Sequence, residues 1–160
     1  MDSYTPGAPA ASLKVAVGQH TDPGVKSVNQ DFHGLCVPDE PLLGAKGIAI
    51  ALADGISSSN VSHIASETAV ASFLEDYYCT SETWSVKKSA QKVLSAANAW
   101  LHAQSRQRHG QDQDSGYVCT LTVMVLKGAT AHILHIGDAR IYRLRDGAVE
   151  QLTEDHRVWV

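Results

Sequence analysis

The chain has 160 residues, 44% of them apolar and 19% charged, a composition that supports a buried core and excludes disordered, collagenous and coiled-coil classes. Thirteen basic residues against seventeen acidic ones give a net charge of -4, and no stretch gathers the basic cluster that a nucleic-acid binder displays. The longest apolar run, Ile48 to Ala53, falls far short of the roughly 20 residues a spanning helix needs, so no membrane segment is expected.

Residues 1–12 carry two prolines, a glycine and small residues, too little apolar surface to offset ordering entropy, and read as a flexible lead-in without an export signal. A cytoplasmic setting is therefore expected, with one domain over residues 13–160. Leu13, Val15 and Val17 alternate with Lys14, Ala16 and Gly18, which predicts a first half-buried strand before the turn signal Thr21-Asp22-Pro23-Gly24. A second strand is predicted over Phe32–Val37, followed by a loop punctuated by Pro38, Pro41, Gly44 and Gly47. Ile48–Ala53 is continuously apolar and short, as expected of a strand covered on both faces, and stops at Asp54-Gly55.

From Val61 to Tyr78 the period changes. Ile64, Thr68, Ala71, Leu74 and Tyr78 form one helical stripe. Behind Ser85, whose hydroxyl suits an N-cap, Val86, Ala90, Val93, Leu94, Ala97 and Leu101 form a second. Arg106–Ser115 reads as a polar loop. Strand-like runs then return at Cys119–Leu126, Thr130–Ile136, Ala139–Leu144 and Val149–Leu152, joined by turns at Lys127-Gly128 and Arg145-Asp146-Gly147. Helices set between hairpin-linked strands predict an antiparallel α+β architecture. Cys36, Cys79 and Cys119 lack any CxxC spacing and read as reduced, mostly buried thiols.

Three aspartates sit where apolar runs meet loops: Asp31, Asp54 and Asp138. Loop-end carboxylates on rigid strands are how proteins bind hard cations, and Gly55 beside Asp54 lets backbone approach an ion. Taken singly, each Asp-Gly or Gly-Asp is an ordinary turn. His132 and His135, three apart on a strand, fall on opposite faces and cannot pair as metal ligands. His63 reads as a surface residue, Ser115 as a loop serine without a matched base, and Trp84, Trp100 and Trp159 as packing residues.

Together these segments resemble the metal-dependent serine/threonine protein phosphatases of type 2C. Gly24-Val-Lys26-Ser-Val-Asn29-Gln30-Asp31 is similar to that family's first motif, and Ile50-Ala-Leu-Ala-Asp54-Gly55 to its strand ending in aspartate-glycine. Thr120-Leu-Thr122 resembles its small-hydroxyl strand. His135-Ile-Gly137-Asp138-Ala139-Arg140-Ile-Tyr142, with Gln151-Leu-Thr153-Glu154-Asp155-His156, resembles its glycine-aspartate-serine-arginine hairpin and threonine-x-aspartate-histidine sequel.

The resemblance implies an antiparallel β-sandwich flanked by helices, four layers in the order αββα. It implies a site for two magnesium or manganese ions in which Asp54 bridges both, the Gly55 carbonyl binds one and Asp31 holds a water from the outer shell. Asp138 would serve a third ion, and Lys26 would contact the substrate phosphate. The implied reaction is hydrolysis of phosphoserine or phosphothreonine in proteins, with a serine/threonine kinase, separate or fused, as the partner that installs the phosphate. Cations of this kind acidify water and neutralise phosphoryl charge during in-line attack.

The sequence departs from the family pattern in places. Lys26 stands where an arginine is usual, keeping the charge but not the bidentate fork. Gln30 replaces the frequent glutamate, Ile56 stands where some members carry a histidine, and Ser57-Ser58-Ser59 stands where many have glycines, reading as a helix start capped by Ser59 or Asn60. Val160 comes before the family's two late metal-binding aspartates, so the domain is expected to be incomplete at its C-terminus. These departures define the alternative of a non-catalytic phosphatase-like binding or regulatory module, and beyond it an unrelated metal-binding sensor.

Overall fold

The computed structural model of the chain describes residues 13–109 and 116–156. Its elements run β1 (Asp31–Cys36), α1 (Leu42–Lys46), β2 (Ile48–Asp54), α2 (Ser62–Cys79), α3 (Val86–His109), β3 (Leu121–Lys127), β4 (Thr130–Ile136), β5 (Tyr142–Arg145) and β6 (Ala148–Gln151). Strands β1 to β4 form one antiparallel sheet in sequence order, and β5 and β6 form a separate antiparallel hairpin. This is the antiparallel α+β arrangement that the order of periods predicts. The flexible lead-in assigned to residues 1–12, most of the polar loop before Ser115, and Trp159 lie outside the described residues.

Alternation decides which face of the sheet is covered. In β2 the side chains of Ala49, Ala51 and Ala53 are fully buried, and their neighbours Val123 and Val125 on β3 join them beneath α2 and α3. Small residues on the strand let α2 approach closely, and it packs on both β1 and β2. The opposite face opens only toward its Asp54 end: Leu52 is 43% exposed, whereas Ile48 at the other end of the strand is fully buried. The expectation that Ile48–Ala53 is covered on both faces is thus corrected, because helices lie on only one side of the sheet among the described residues.

Other expectations shift for identifiable reasons. The buried stripe of α2 is Ala65, Ser66, Ala69, Val70, Phe73 and Tyr77, one position away from the predicted stripe of Ile64, Thr68, Ala71, Leu74 and Tyr78, which flanks it half-buried. The residues nearest the sheet are the small ones, and small side chains carry little weight in a hydropathy pattern. Helix α3 keeps much of its predicted stripe, with Val86, Ala90, Val93 and Leu101 buried, and Ser85 caps it by accepting from the Lys88 amide at 3.2 Å. It runs on through Arg106 to His109, so the loop predicted from Arg106 begins later.

Leu13–Val17 is not a strand. Val15 and Val17 are exposed, and no strand edge among the described residues pairs with this segment. Alternation supplies an apolar face but not the ladder partner a strand requires. Conversely, the loop predicted after Val37 contains the short helix α1, whose last residue, Lys46, is 1% exposed. The thiols are free as expected, although Cys79 is exposed and Cys36 and Cys119 are only half-buried, against the expectation of mostly buried cysteines.

Candidate metal centre

Antiparallel pairing places Asp31, the first residue of β1, directly opposite Asp54, the last residue of β2. Two strands thus deliver two carboxylates to one end of the sheet, on the face that the helices leave open. Thr120 fixes that end from the third strand side: the Asp54 amide donates to Thr120 Oγ1 at 3.0 Å, and the Thr120 amide donates to the Asp54 carbonyl at 2.8 Å. Gly55 follows in a buried position, its amide donating to the Gln30 carbonyl at 3.0 Å. A Cβ on Gly55 would lie 2.6 Å from the Ser62 carbonyl oxygen, so the close passage of this loop over the start of α2 admits only glycine.

The electrostatics of the pair fit a divalent cation. The Asp54 carboxyl is pushed up to about 6 by burial first, then by its hydrogen bond with Asp31 and the charges of Asp31 and Asp138, with Lys26 pulling in the opposite direction. A carboxylate held among like charges is a site at which a cation removes the repulsion. The donors are all oxygen, which suits magnesium or manganese. Among the described residues no three His, Cys, Asp or Glu side chains converge on one point, so Asp31 and Asp54 form the pair while Asp138 acts on Asp54 from farther away.

Asp138 stands on a turn that the downstream motif holds. Gly137 has φ +108, and a Cβ there would meet the Thr120 side chain at 2.5 Å, which ties this turn to the same threonine that pins Asp54. The His156 amide donates to the Gly137 carbonyl at 2.8 Å, and the Gly137 amide donates to His156 Nδ1 at 3.3 Å. Arg140 grips Asp155 with both its Nε and a terminal nitrogen, at 2.8 and 2.6 Å, and the Ile141 amide donates to Thr153 Oγ1 at 3.2 Å. Thr153, Asp155 and His156 therefore serve the geometry of the Gly137-Asp138 turn.

Lys26 projects beside the pair. Its ammonium donates to Gln30 Oε1 at 3.3 Å and to Ser57 Oγ at 3.2 Å. Those residues, with Ser58, Asn60 and His63, line a cleft of about 500 Å³. His63, read from sequence as a surface residue, is half-buried in that lining. Of the three serines only Ser59 meets the entry to α2, its Oγ accepting from the Val61 amide at 3.2 Å, and it lies ahead of the N-cap rather than at it. Val61 occupies the N-cap of α2 without a side-chain cap, Ser59 Oγ donates to the Gly116 carbonyl at 2.7 Å and Ser57 holds Lys26. His132 and His135 do fall on opposite faces, their register partners being Val125 and Thr122. His135 Nδ1 hydrogen-bonds Thr122 Oγ1 at 2.8 Å. Among the tryptophans, Trp100 is 47% exposed against Tyr117 and Trp84 lies beneath the Lys88 ammonium, which is rim packing.

Comparison with known proteins agrees with this geometry. The family model described as protein phosphatase 2C matches residues 23–158. The serine/threonine protein phosphatase PstP of Mycobacterium tuberculosis is 31% identical over 108 residues, which is 66% of this chain and 20% of that protein. The solved catalytic domain of PstP in complex with two manganese ions superposes with a TM-score of 0.64 at 26% identity, over 82% of this chain and 51% of that one. The serine/threonine phosphatase Stp1 of Staphylococcus aureus, at 17% identity, shares the fold with a TM-score of 0.68 over 88% of this chain and 51% of its own. The chain thus spans a fifth of the curated relative and about half of the solved structures it matches. With most of its length matched to one family and the Asp31 and Asp54 carboxylates paired at the sheet end, the chain belongs to the protein phosphatase 2C family.

Proposed function

We propose that the chain serves the metal-dependent hydrolysis of phosphoserine and phosphothreonine in proteins. The observation that carries this reading is the register pair Asp31 and Asp54, whose mutual repulsion a divalent cation relieves, in a member of a phosphatase family. Asp54 and the Gly55 carbonyl are the proposed ligands of two magnesium or manganese ions, with Asp31 in the outer shell and Asp138 toward a third. When bound, such ions lower the pKa of water and neutralise phosphoryl charge.

The chain's own residues do the rest. Asp31 orients and accepts a proton from the attacking water, Lys26 binds a phosphoryl oxygen, and Thr120 keeps the Asp54 backbone in place through its two hydrogen bonds. The substrate is a phosphorylated protein, so a serine/threonine kinase, separate or fused, must supply it. A cytoplasmic setting accords with three free thiols. No helix among the described residues is long and apolar enough to cross a membrane.

The test is manganese-dependent hydrolysis of p-nitrophenyl phosphate and of a phosphothreonine peptide, by this chain and by the whole natural protein, each beside its Asp54→Ala variant. Hydrolysis that Asp54→Ala abolishes is the expected result. Absence of hydrolysis in every form, with manganese bound and the fold intact, would overturn the enzyme reading in favour of a binding module, which Lys26, Gln30 and Ile56 would then favour.

A further inference from the structure

We propose that Gln30 and Ser57 are positioning residues that convert the flexible Lys26 side chain into a fixed anchor for the substrate phosphate, an inference that rests on the phosphatase reading above. A lysine presents three donors on a long, rotatable stem, whereas an arginine presents a rigid fork. Left alone, Lys26 would lose rotamer entropy on meeting a phosphate that a preorganised group does not lose.

The structure supplies that preorganisation from both sides. Gln30 Oε1 and Ser57 Oγ accept two of the three ammonium protons, at 3.3 and 3.2 Å, leaving one for a ligand in the cleft that these residues line. Gln30 is itself held. Its Nε2 shares its two protons among the carbonyls of Ile56 and Ser59, at 3.2 Å each, and Ser62 Oγ, at 2.7 Å, which turns Oε1 toward Lys26. Only an amide can do both, because a glutamate at this position has no proton to give the two carbonyls.

Ser57 completes the cradle with the hydroxyl that a glycine at this position lacks. Its backbone is not in the left-handed region, so alanine fits there without strain. Lysine, glutamine and serine are thus one substituted set: each departure from the family pattern makes sense in the presence of the other two.

The experiment is a double-mutant cycle in the whole natural protein loaded with manganese, combining Lys26→Ala with Ser57→Ala, and adding Ser57→Thr and Gln30→Glu. Readouts are kcat and KM on a phosphothreonine peptide and the affinity for inorganic phosphate by calorimetry. Ser57→Ala should raise KM and the phosphate dissociation constant about three- to ten-fold while kcat changes little. In the Lys26→Ala background it should change neither, because the group it positions is gone. Ser57→Thr, which keeps the hydroxyl, should restore both values, and Gln30→Glu should mimic the loss.

An equal effect of Ser57→Ala with and without Lys26, or no effect on phosphate affinity in either background, would overturn the cradle. If the wild-type protein hydrolyses nothing, the phosphatase reading falls on its own. The calorimetric cycle then still decides whether Ser57 acts through Lys26.

Discussion

On the helix side of the β1–β4 sheet, Ala49, Ala51, Ala53, Val123 and Val125 are buried beneath α2 and α3, whereas on the other side, where Ile48 and Thr122 are also buried, Leu52, Asp54 and Met124 from the same strands are half-buried or exposed. Neighbouring residues, one position apart, live in different solvents. The helix side is dry and close-packed, and its stability comes from apolar area and fit. The open side tolerates two aspartates opposite each other because water and, on the reading above, cations reach them. The difference teaches that strand parity can separate what holds this fold from what it does, so a change on one face should leave the property of the other intact.

The largest expected effect lies on the helix side. Phe73 is fully buried and stacks on Tyr77 with ring centroids 5.5 Å apart. Phe73→Ala should cost about 3–5 kcal/mol of stability in urea unfolding, through lost burial and the cavity left behind. Under conditions where the variant remains folded, manganese-dependent kcat should match wild type. A kcat that falls while the fold is intact would show that the two faces are coupled after all.

Much of this division is legible in the sequence, and its gaps have physical causes. The alternating and continuous apolar runs located β1 to β4 within a few residues, since strand periodicity reports directly on the pleat. Adjacency was not legible: that Asp31 faces Asp54 depends on the register between β1 and β2, a long-range property that no local pattern holds. The phase of α2 was missed because Ala65, Ser66 and Ala69 mark its buried line with size rather than hydropathy. Leu13–Val17 had the pattern of a strand without an edge to join. Taken one residue at a time, Ser57 reads as a helix start and Gln30 as a replaced glutamate, whereas their meaning lies in the contact with Lys26.

One charged residue crosses the division and sharpens it. Lys46 is 1% exposed, and its ammonium donates to Thr80 Oγ1 at 2.7 Å, the Ser81 carbonyl at 2.8 Å and Ser89 Oγ at 3.1 Å. It also lies 5.4 Å from the centre of the Tyr77 ring. Burial lowers its pKa and Lys127 adds to that, while the charge of exposed Glu82 opposes them, so the ammonium is held by hydrogen bonds to neutral oxygens with a carboxylate only at a distance. Lys46→Met keeps the stem and removes the donors. Thr80 and Ser89 already share a hydrogen bond at 2.8 Å and can satisfy each other, but the Ser81 carbonyl cannot. The expected loss is about 1–3 kcal/mol in chemical denaturation, with phosphate affinity unchanged. A neutral substitution would show that the cation contributes no net stability to the packed side.

The smallest effect belongs to the open side and turns on pH. Asp54 titrates at about 6 in the fold, above its ordinary 3.8, so the folded chain holds this proton more tightly than the unfolded one. The stabilisation from that proton is complete below the ordinary value and disappears as pH rises through about 6. Metal-free protein should therefore lose stability between about pH 4 and about pH 6, by roughly 1 kcal/mol once solvent screening of a partly open carboxylate is counted. Asp54→Asn should flatten that part of the profile, and saturating manganese should reverse it, because a bound cation favours the ionised carboxylate that acid removes. Urea midpoints across this range, with and without manganese, measure both arms. If the Asp54→Asn variant keeps the wild-type slope, the strain attributed to the aspartate pair resides elsewhere, and the open face loses its claim to be where the fold gives up stability for chemistry.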